Sequence, residues 1–234
     1  MPLPALQIFE RKIGRQLRLL DIRKTIIERK IERHLRLFEQ KRGPKKINRL
    51  DDEVRFIRSW IERPLSTGAV TPSGKILARA MARYVDPNSI GPVVELGPGT
   101  GPVTEALVEG GVDPSRLVLV ESNPVFCRIL RARYPDATLV QGDAYSMRRL
   151  LETLLFQPAA AVVSGLPLIT KPVRMRLRLI RDAFDLMVPG APFVQFTYAV
   201  ASPLPKRFGG FSVEASERIW MNIPPARVWV YRKI

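Results

Sequence analysis

Three acidic residues and three glycines stand at the spacing of a nucleotide-type ligand site. Residues 93–101 read Val-Val-Glu-Leu-Gly-Pro-Gly-Thr-Gly, an apolar strand-like run passing into a glycine-rich turn that opens a helix. Gly97, Gly99 and Gly101 let the backbone turn tightly and leave no Cβ to hold a ligand away. A turn of this kind also occurs in dinucleotide enzymes and in plain tight turns, so its flanking acids matter. Glu95 precedes the first glycine by two residues, and Glu121 follows Gly101 by 20. A carboxylate at the second position can accept hydrogen bonds from both hydroxyls of a ribose. Asp143, in Gln141-Gly142-Asp143-Ala144, follows a third apolar run. Each acid alone fits an ordinary exposed loop residue. Together with the glycines they form a constellation at strand ends, where ligands bind in open α/β sheets.

A second loop, Ser164-Gly165-Leu166-Pro167-Leu168, follows a fourth apolar run. Tyr198 ends a fifth and offers a hydroxyl and a ring face; the plain alternative is strand packing. Lys206, Arg207 and Arg227 follow it and suit an anionic group, or are solvated surface charges. The single histidine, His34, lies far from all of these in sequence, so no histidine base is expected.

The elements that must position these residues alternate. Strands are expected at Val93–Leu96, Leu117–Glu121, Thr138–Val140, Ala160–Ser164 and Phe193–Tyr198, with helices at Val103–Glu109, Pro124–Arg133, Ser146–Leu155 and Val173–Met187. This repetition predicts a doubly wound α/β sheet of five parallel strands. Glu217–Asn222 and Arg227–Arg232 read as two further strands. Their link, Ile223-Pro224-Pro225-Ala226, is too short for a helical crossover, so an antiparallel C-terminal pair is expected. Before the sheet, Asp51–Arg63 and Ser73–Tyr84 read as helices, the second introduced by Thr71-Pro72-Ser73. Cys127 falls in the helical stretch 123–133 and is expected to be a buried small hydrophobe.

The formal net charge is +16. Residues 1–50 carry 15 Lys/Arg against 5 Asp/Glu, while the other 184 residues carry 23 against 17. Over residues 4–40, Leu6, Phe9, Ile13, Leu17, Leu20, Ile27, Ile31, Leu35 and Phe38 recur at helical spacing between Arg and Lys. That is a basic amphipathic helix, suited to packing on the fold or to the lipid head-group layer. Residues 1–50 therefore form a helical extension, 51–91 the entry helices and 92–234 the ligand-binding domain. The charge implies an anionic partner, nucleic acid or acidic lipid. One cysteine excludes an internal disulfide and fits a reducing cytoplasm. Met1–Leu20 carries four basic residues and no unbroken apolar core, unlike a signal peptide. No apolar run approaches the ~20 residues that span a bilayer, so membrane contact would be peripheral.

The Glu95-x-Gly97-x-Gly99-x-Gly101 form resembles the S-adenosylmethionine-binding motif of class I (Rossmann-like) methyltransferases and differs from the G-x-G-x-x-G of dinucleotide folds. That resemblance implies that Glu95 orients the loop and the methionine amino end, that Glu121 takes the ribose, and that Asp143 with Ala144 meets the adenine. Residues 52–234 further resemble soluble bacterial phospholipid N-methyltransferases, which convert phosphatidylethanolamine stepwise to phosphatidylcholine. The likeness rests on residues 56–60 (FIRSW), 67–73 (TGAVTPS), 94–101, 164–168 (SGLPL), 193–198 (FVQFTY) and 222–229 (NIPPARVW). The glycine loop is shared with rRNA adenine dimethyltransferases, relatives of the same fold. The resemblance implies S-adenosylmethionine as cofactor, with Thr71 added to its site. It implies Ser164 and Tyr198 at the reacting amine, Leu166, Lys206, Arg207 and Arg227 on the lipid, and no metal. It implies phosphatidylethanolamine as substrate and a cytoplasmic enzyme peripherally bound to an anionic or zwitterionic phospholipid surface, the inner face of the membrane. In adenine-methylating enzymes this loop usually reads Asn or Asp, then any residue or Pro, then Pro and an aromatic; this chain has Ser164 at the start and Leu168 in the aromatic's place. That departure, and a chain that ends with the sheet, count against nucleic acid. Three alternatives stay open: an RNA or rRNA adenine N-methyltransferase, an ornithine-lipid N-methyltransferase, and a non-catalytic binding module on the same fold.

Overall fold

Short runs of β-branched and leucine residues form the centre of the molecule. A computed structural model describes residues 72–204, 210–222 and 225–234. The expectations for residues 1–71, Thr71 included, and for Lys206 and Arg207 lie outside the described residues. The strands are β1 (Val93–Leu96), β2 (Leu117–Glu121), β3 (Thr138–Gln141), β4 (Ala161–Ser164), β5 (Phe193–Thr197), β6 (Phe211–Ala215) and β7 (Arg227–Lys233). The helices are α1 (Pro72–Ala82), α2 (Pro102–Glu109), α3 (Pro124–Arg133), α4 (Met147–Leu151) and α5 (Val173–Leu186). Every residue of β1, β2 and β4 is buried. Strands covered on both faces need continuous apolar runs rather than alternation, and that is how these sequences read.

The sheet order is β3-β2-β1-β4-β5-β7-β6. The first five strands are parallel, and β7 runs antiparallel to both β5 and β6. Helices α1, α2 and α3 cover one face through Leu77, Met81, Leu107 and Leu130. Helices α4 and α5 cover the other through Met147, Leu151, Leu179 and Ala183. The five-stranded parallel order places the ends of β1 to β5 along one edge, so the residues after each strand meet there. Cys127 is 1% exposed, its thiol donating to the Glu121 carbonyl at 3.4 Å.

Two expected elements differ. The helix expected at 146–155 is a 3₁₀ turn, Ala144–Ser146, followed by α4 of five residues. The strand expected at Glu217–Asn222 lies instead at Phe211–Ala215, and residues 216–226 connect it to β7. The apolar cluster Ile219-Trp220-Met221 suggested the wrong segment, for Trp220 and Met221 are 72% and 74% exposed. In the real strand Phe211 and Val213 pack on the core while Ser212 and Glu214 face outward. The Ser216 hydroxyl then accepts the Val228 N–H at 3.0 Å, and beyond it a single bridge, Ile219 to Ala226, remains.

Candidate active site

Two loops, one after β1 and one after β4, lock together backbone to backbone. The Gly97 N–H donates to the Val120 carbonyl at 2.9 Å, and the Gly165 N–H donates to the Leu96 carbonyl at 2.8 Å. A Cβ on Gly165 would lie 2.7 Å from the Gly97 carbonyl oxygen, so only glycine permits this approach. Gly99 serves differently. Its φ is +60°, and no atom lies within 4 Å of where its Cβ would be. The glycine there keeps an open space beside the loop.

Glu121 fastens the glycine loop. It is 7% exposed, and its two carboxylate oxygens accept the Gly99 N–H at 3.0 Å and the Asn123 N–H at 2.8 Å. The Ser122 hydroxyl also donates to it, weakly, at 3.5 Å. Of the about four acceptor positions of a carboxylate one is free, and the one that Ser122 holds is readily released for a diol. Asp143 is exposed and caps the 3₁₀ turn, one oxygen accepting the Tyr145 N–H at 3.0 Å; Ala144 beside it is buried. Glu95 is 1% exposed and accepts the Thr104 hydroxyl at 2.7 Å, tying β1 to the first turn of α2. Burial is the chief cause that pushes its carboxyl up to about 8; the nearby Glu121 adds to this and the Thr104 bond opposes it.

The β4 loop is held at one peptide. Ser164 is fully buried and its hydroxyl oxygen accepts the Leu166 N–H at 3.4 Å. Gln195, fully buried in β5 opposite Ser164, donates its amide to the Leu166 carbonyl at 2.9 Å and to the Phe196 carbonyl at 2.8 Å. Its Oε1 is buried with no hydrogen-bond partner. Leu168, at the aromatic position of base-methylating enzymes, is 1% exposed and packs in the core. Tyr198 lies one residue past β5, its ring 5.4 Å from Phe196 in a T-shaped pair. Burial pushes its phenol above the usual tyrosine value, opposed by a hydrogen bond with Asn222. Arg227 pairs in register with Thr197, and its guanidinium lies over the Trp229 ring at 5.9 Å.

The residues brought together are Gly97, Gly99, Glu121, Gly165 and Leu166, with Ser164 beneath the second loop. Tyr198, just past β5, and Arg227, the first residue of β7, stand at the same sheet edge. Thr104 and Gln195 were not singled out from sequence. Each had a signal: Thr104 shares the buried stripe of α2 with Leu107, and Gln195 interrupts an apolar strand.

No protein-family model matches the chain. It is 28% identical over 151 residues to an ornithine lipid N-methyltransferase of Singulisphaera acidiphila, covering 63% of this chain and 79% of that protein. It is 35% identical over 92 residues to a ribosomal RNA small subunit methyltransferase A of Synechococcus, where the match spans 38% of this chain and only 30% of the relative. Among solved structures it resembles a magnesium protoporphyrin IX methyltransferase of Synechocystis with bound S-adenosylmethionine. That likeness has a TM-score of 0.53 at 12% identity and covers 82% of this chain and 87% of the other. The fold is the class I methyltransferase fold, the chain is a methyltransferase, and S-adenosylmethionine is its cofactor. The residues present fit that group: Gly99 leaves space, while Glu121 and Asp143 keep free acceptor positions for a ribose and an adenine amine.

Proposed function

We propose that this chain transfers methyl groups to the amine of a membrane-lipid head group, with phosphatidylethanolamine the first substrate and phosphatidylcholine the end product. The observation that carries this reading is the β4 loop. A base-methylating enzyme needs an aromatic there to stack on an extruded base; here Leu168 is turned into the core and fully packed. A specific finding favours a second head group, that of an ornithine lipid: the relative with that activity is matched over 79% of its length. The two substrates share a primary amine close to an oxyanion.

The incoming ammonium resembles that of Lys, with a pKa of about 10 in water, and must lose a proton before its lone pair attacks. Exclusion of water lowers that pKa, so the proton leaves to solvent without a strong base. No histidine occurs in residues 72–234. Tyr198, whose phenol is held above its ordinary value, stays protonated at neutral pH and orients the amine by its hydroxyl and ring face. The Leu166 carbonyl accepts both the Gln195 amide and the Leu168 N–H, which fixes the loop beside the amine. When bound, S-adenosylmethionine supplies an electrophilic methyl carbon. Positioning and desolvation then contribute most of the rate.

No helix among the described residues is long and apolar enough to cross a membrane. Docking through the basic segment 4–40 at the cytoplasmic face is part of the proposal. The test incubates the full chain and labelled S-adenosylmethionine with vesicles of phosphatidylethanolamine, vesicles of ornithine lipid, and small-subunit rRNA. Label in mono-, di- or trimethylated lipid supports the reading. Label in rRNA alone would replace it with the RNA alternative.

A further inference from the structure

Three polar atoms beside the methyl-acceptor loop are buried and unpartnered: Gln195 Oε1, Trp229 Nε1 and Arg227 Nε. They belong to one surface. β5 and β7 pair with Gln195 opposite Trp229 and Thr197 opposite Arg227. Alternation along a strand puts Gln195, Trp229 and Arg227 on the same face. Directly opposed side chains have Cβ atoms roughly 5 Å apart and diagonal ones roughly 7–8 Å. The Arg227 guanidinium over the Trp229 ring agrees with that placement. Gln195 is level with Ser164 at the end of β4, and Arg227 is one step nearer the ligand-binding edge.

The chemistry of the three atoms is complementary to a zwitterion. Both Gln195 amide hydrogens are committed, to the Leu166 and Phe196 carbonyls, so its amide orientation is fixed: reversed, Oε1 would face two acceptors. Oε1 is thus an acceptor awaiting a donor. The Trp229 and Arg227 N–H groups are donors awaiting an acceptor, one of them cationic. Buried polar groups in native proteins find partners, and an unfilled set signals a water or ligand.

Building on the proposed lipid substrate, we infer that Gln195, Trp229 and Arg227 form a subsite for its zwitterionic part. Gln195 Oε1 accepts an N–H of the amine beside the Leu166 carbonyl, and Trp229 and Arg227 take the neighbouring oxyanion, phosphate or carboxylate. The subsite sets the amine-to-anion spacing and so selects zwitterionic amino-lipids over simple amines.

The test measures binding apart from turnover. Calorimetry on the full chain with S-adenosylhomocysteine bound uses three probes: dihexanoyl phosphatidylethanolamine, N-hexanoyl ornithine and hexylamine. The variants are Trp229→Phe, which removes one N–H and keeps the ring, and Arg227→Met, which removes the charge and keeps much of the bulk. Wild type should bind a zwitterion well above hexylamine, and the better of the two zwitterions tells phosphate from carboxylate. Trp229→Phe should weaken that zwitterion about fivefold and Arg227→Met about tenfold or more, the worth of a neutral and a charged hydrogen bond. Hexylamine affinity and cofactor affinity should stay unchanged in both, which also certifies folding. If the wild-type enzyme methylates amino-lipid vesicles while both variants bind the zwitterions as it does, the subsite is refuted, the three atoms hold only water, and the lipid reading survives. If wild type neither binds a zwitterion nor methylates a lipid, the lipid reading itself falls and takes the subsite with it.

Discussion

Replacing Glu121 by alanine should affect both the fold and the cofactor, because the carboxylate fastens the glycine loop and is the acceptor proposed for the ribose. In the free protein it accepts two backbone N–H groups, from Gly99 at 3.0 Å and Asn123 at 2.8 Å, at 7% exposure. A hydrogen bond to a charged acceptor contributes about 1.5–3 kcal/mol. Both bonds are at a partly buried site that water re-enters once the side chain is gone, so the lower part of the range applies, about 3 kcal/mol in all. Typical domains hold about 5–15 kcal/mol, so Glu121→Ala should fold but unfold at lower urea. Cofactor affinity should fall further, by about 100-fold, since two ribose hydroxyls lose a charged acceptor and the Gly99 turn must be re-ordered on binding. Glu121→Gln keeps one acceptor oxygen but puts an NH₂ against a backbone N–H, so it should lie between the two. The assays are urea unfolding without cofactor and calorimetric titration of S-adenosylmethionine into the folded variants. A stability change under about 0.5 kcal/mol, together with cofactor affinity within threefold of wild type, would refute the assignment of both tasks to this carboxylate.

Gly99→Ala and Gly165→Ala should fail in different ways. The first meets open space but strains a φ of +60°, so it should cost about 1–2 kcal/mol and impair cofactor binding. The second drives a methyl onto the Gly97 carbonyl and should lower the melting temperature more. Glu95 gives a pH signature. Its folded pKa, about 8, exceeds its unfolded value, so the native state binds the extra proton; this contribution is complete below about pH 4.5 and is lost as pH rises through 8. Unfolding midpoints at pH 5 and pH 8.5 should therefore differ less in Glu95→Gln than in wild type, and an equal difference would exclude Glu95 as the group responsible. Tyr198→Phe, losing the Asn222 bond, should slow methylation with cofactor affinity intact, and Tyr198→Ala should slow it more; full turnover in the alanine variant assigns Tyr198 to packing. Removing residues 1–50 should leave cofactor binding in place but reduce flotation with anionic vesicles, increasingly so at low salt, where each basic residue is worth up to about 1 kcal/mol. Equal flotation of both chains would give the extension another task.

The glycine loop and the acids around it were legible as structure because their signals are local. A glycine turn, the acid two residues before it and the acids ending the next two strands are fixed by backbone sterics and by the period of a β-α unit. Gly97, Gly99, Glu121 and Asp143 accordingly lie where the spacing puts them. Strands β1, β2 and β4 were legible for a related reason, since strands buried on both faces must be continuous apolar runs. Pairing across the sheet is not local. The β6 segment was misplaced because exposed Trp220 and Met221 look like core in one dimension; only the register of β7 decides that Phe211 and Val213 face inward. The tertiary structure alone brought Gly165 against Gly97, and Gln195 against Leu166. It turned Leu168 into the core, and it set Gln195 opposite Trp229 with their polar atoms unpaired. These contacts join residues roughly 30 to 70 positions apart. The sequence determined what kind of cofactor this edge accepts, because that depends on the chain following each strand; which substrate groups it can hold depends on neighbours that meet only when the sheet is assembled.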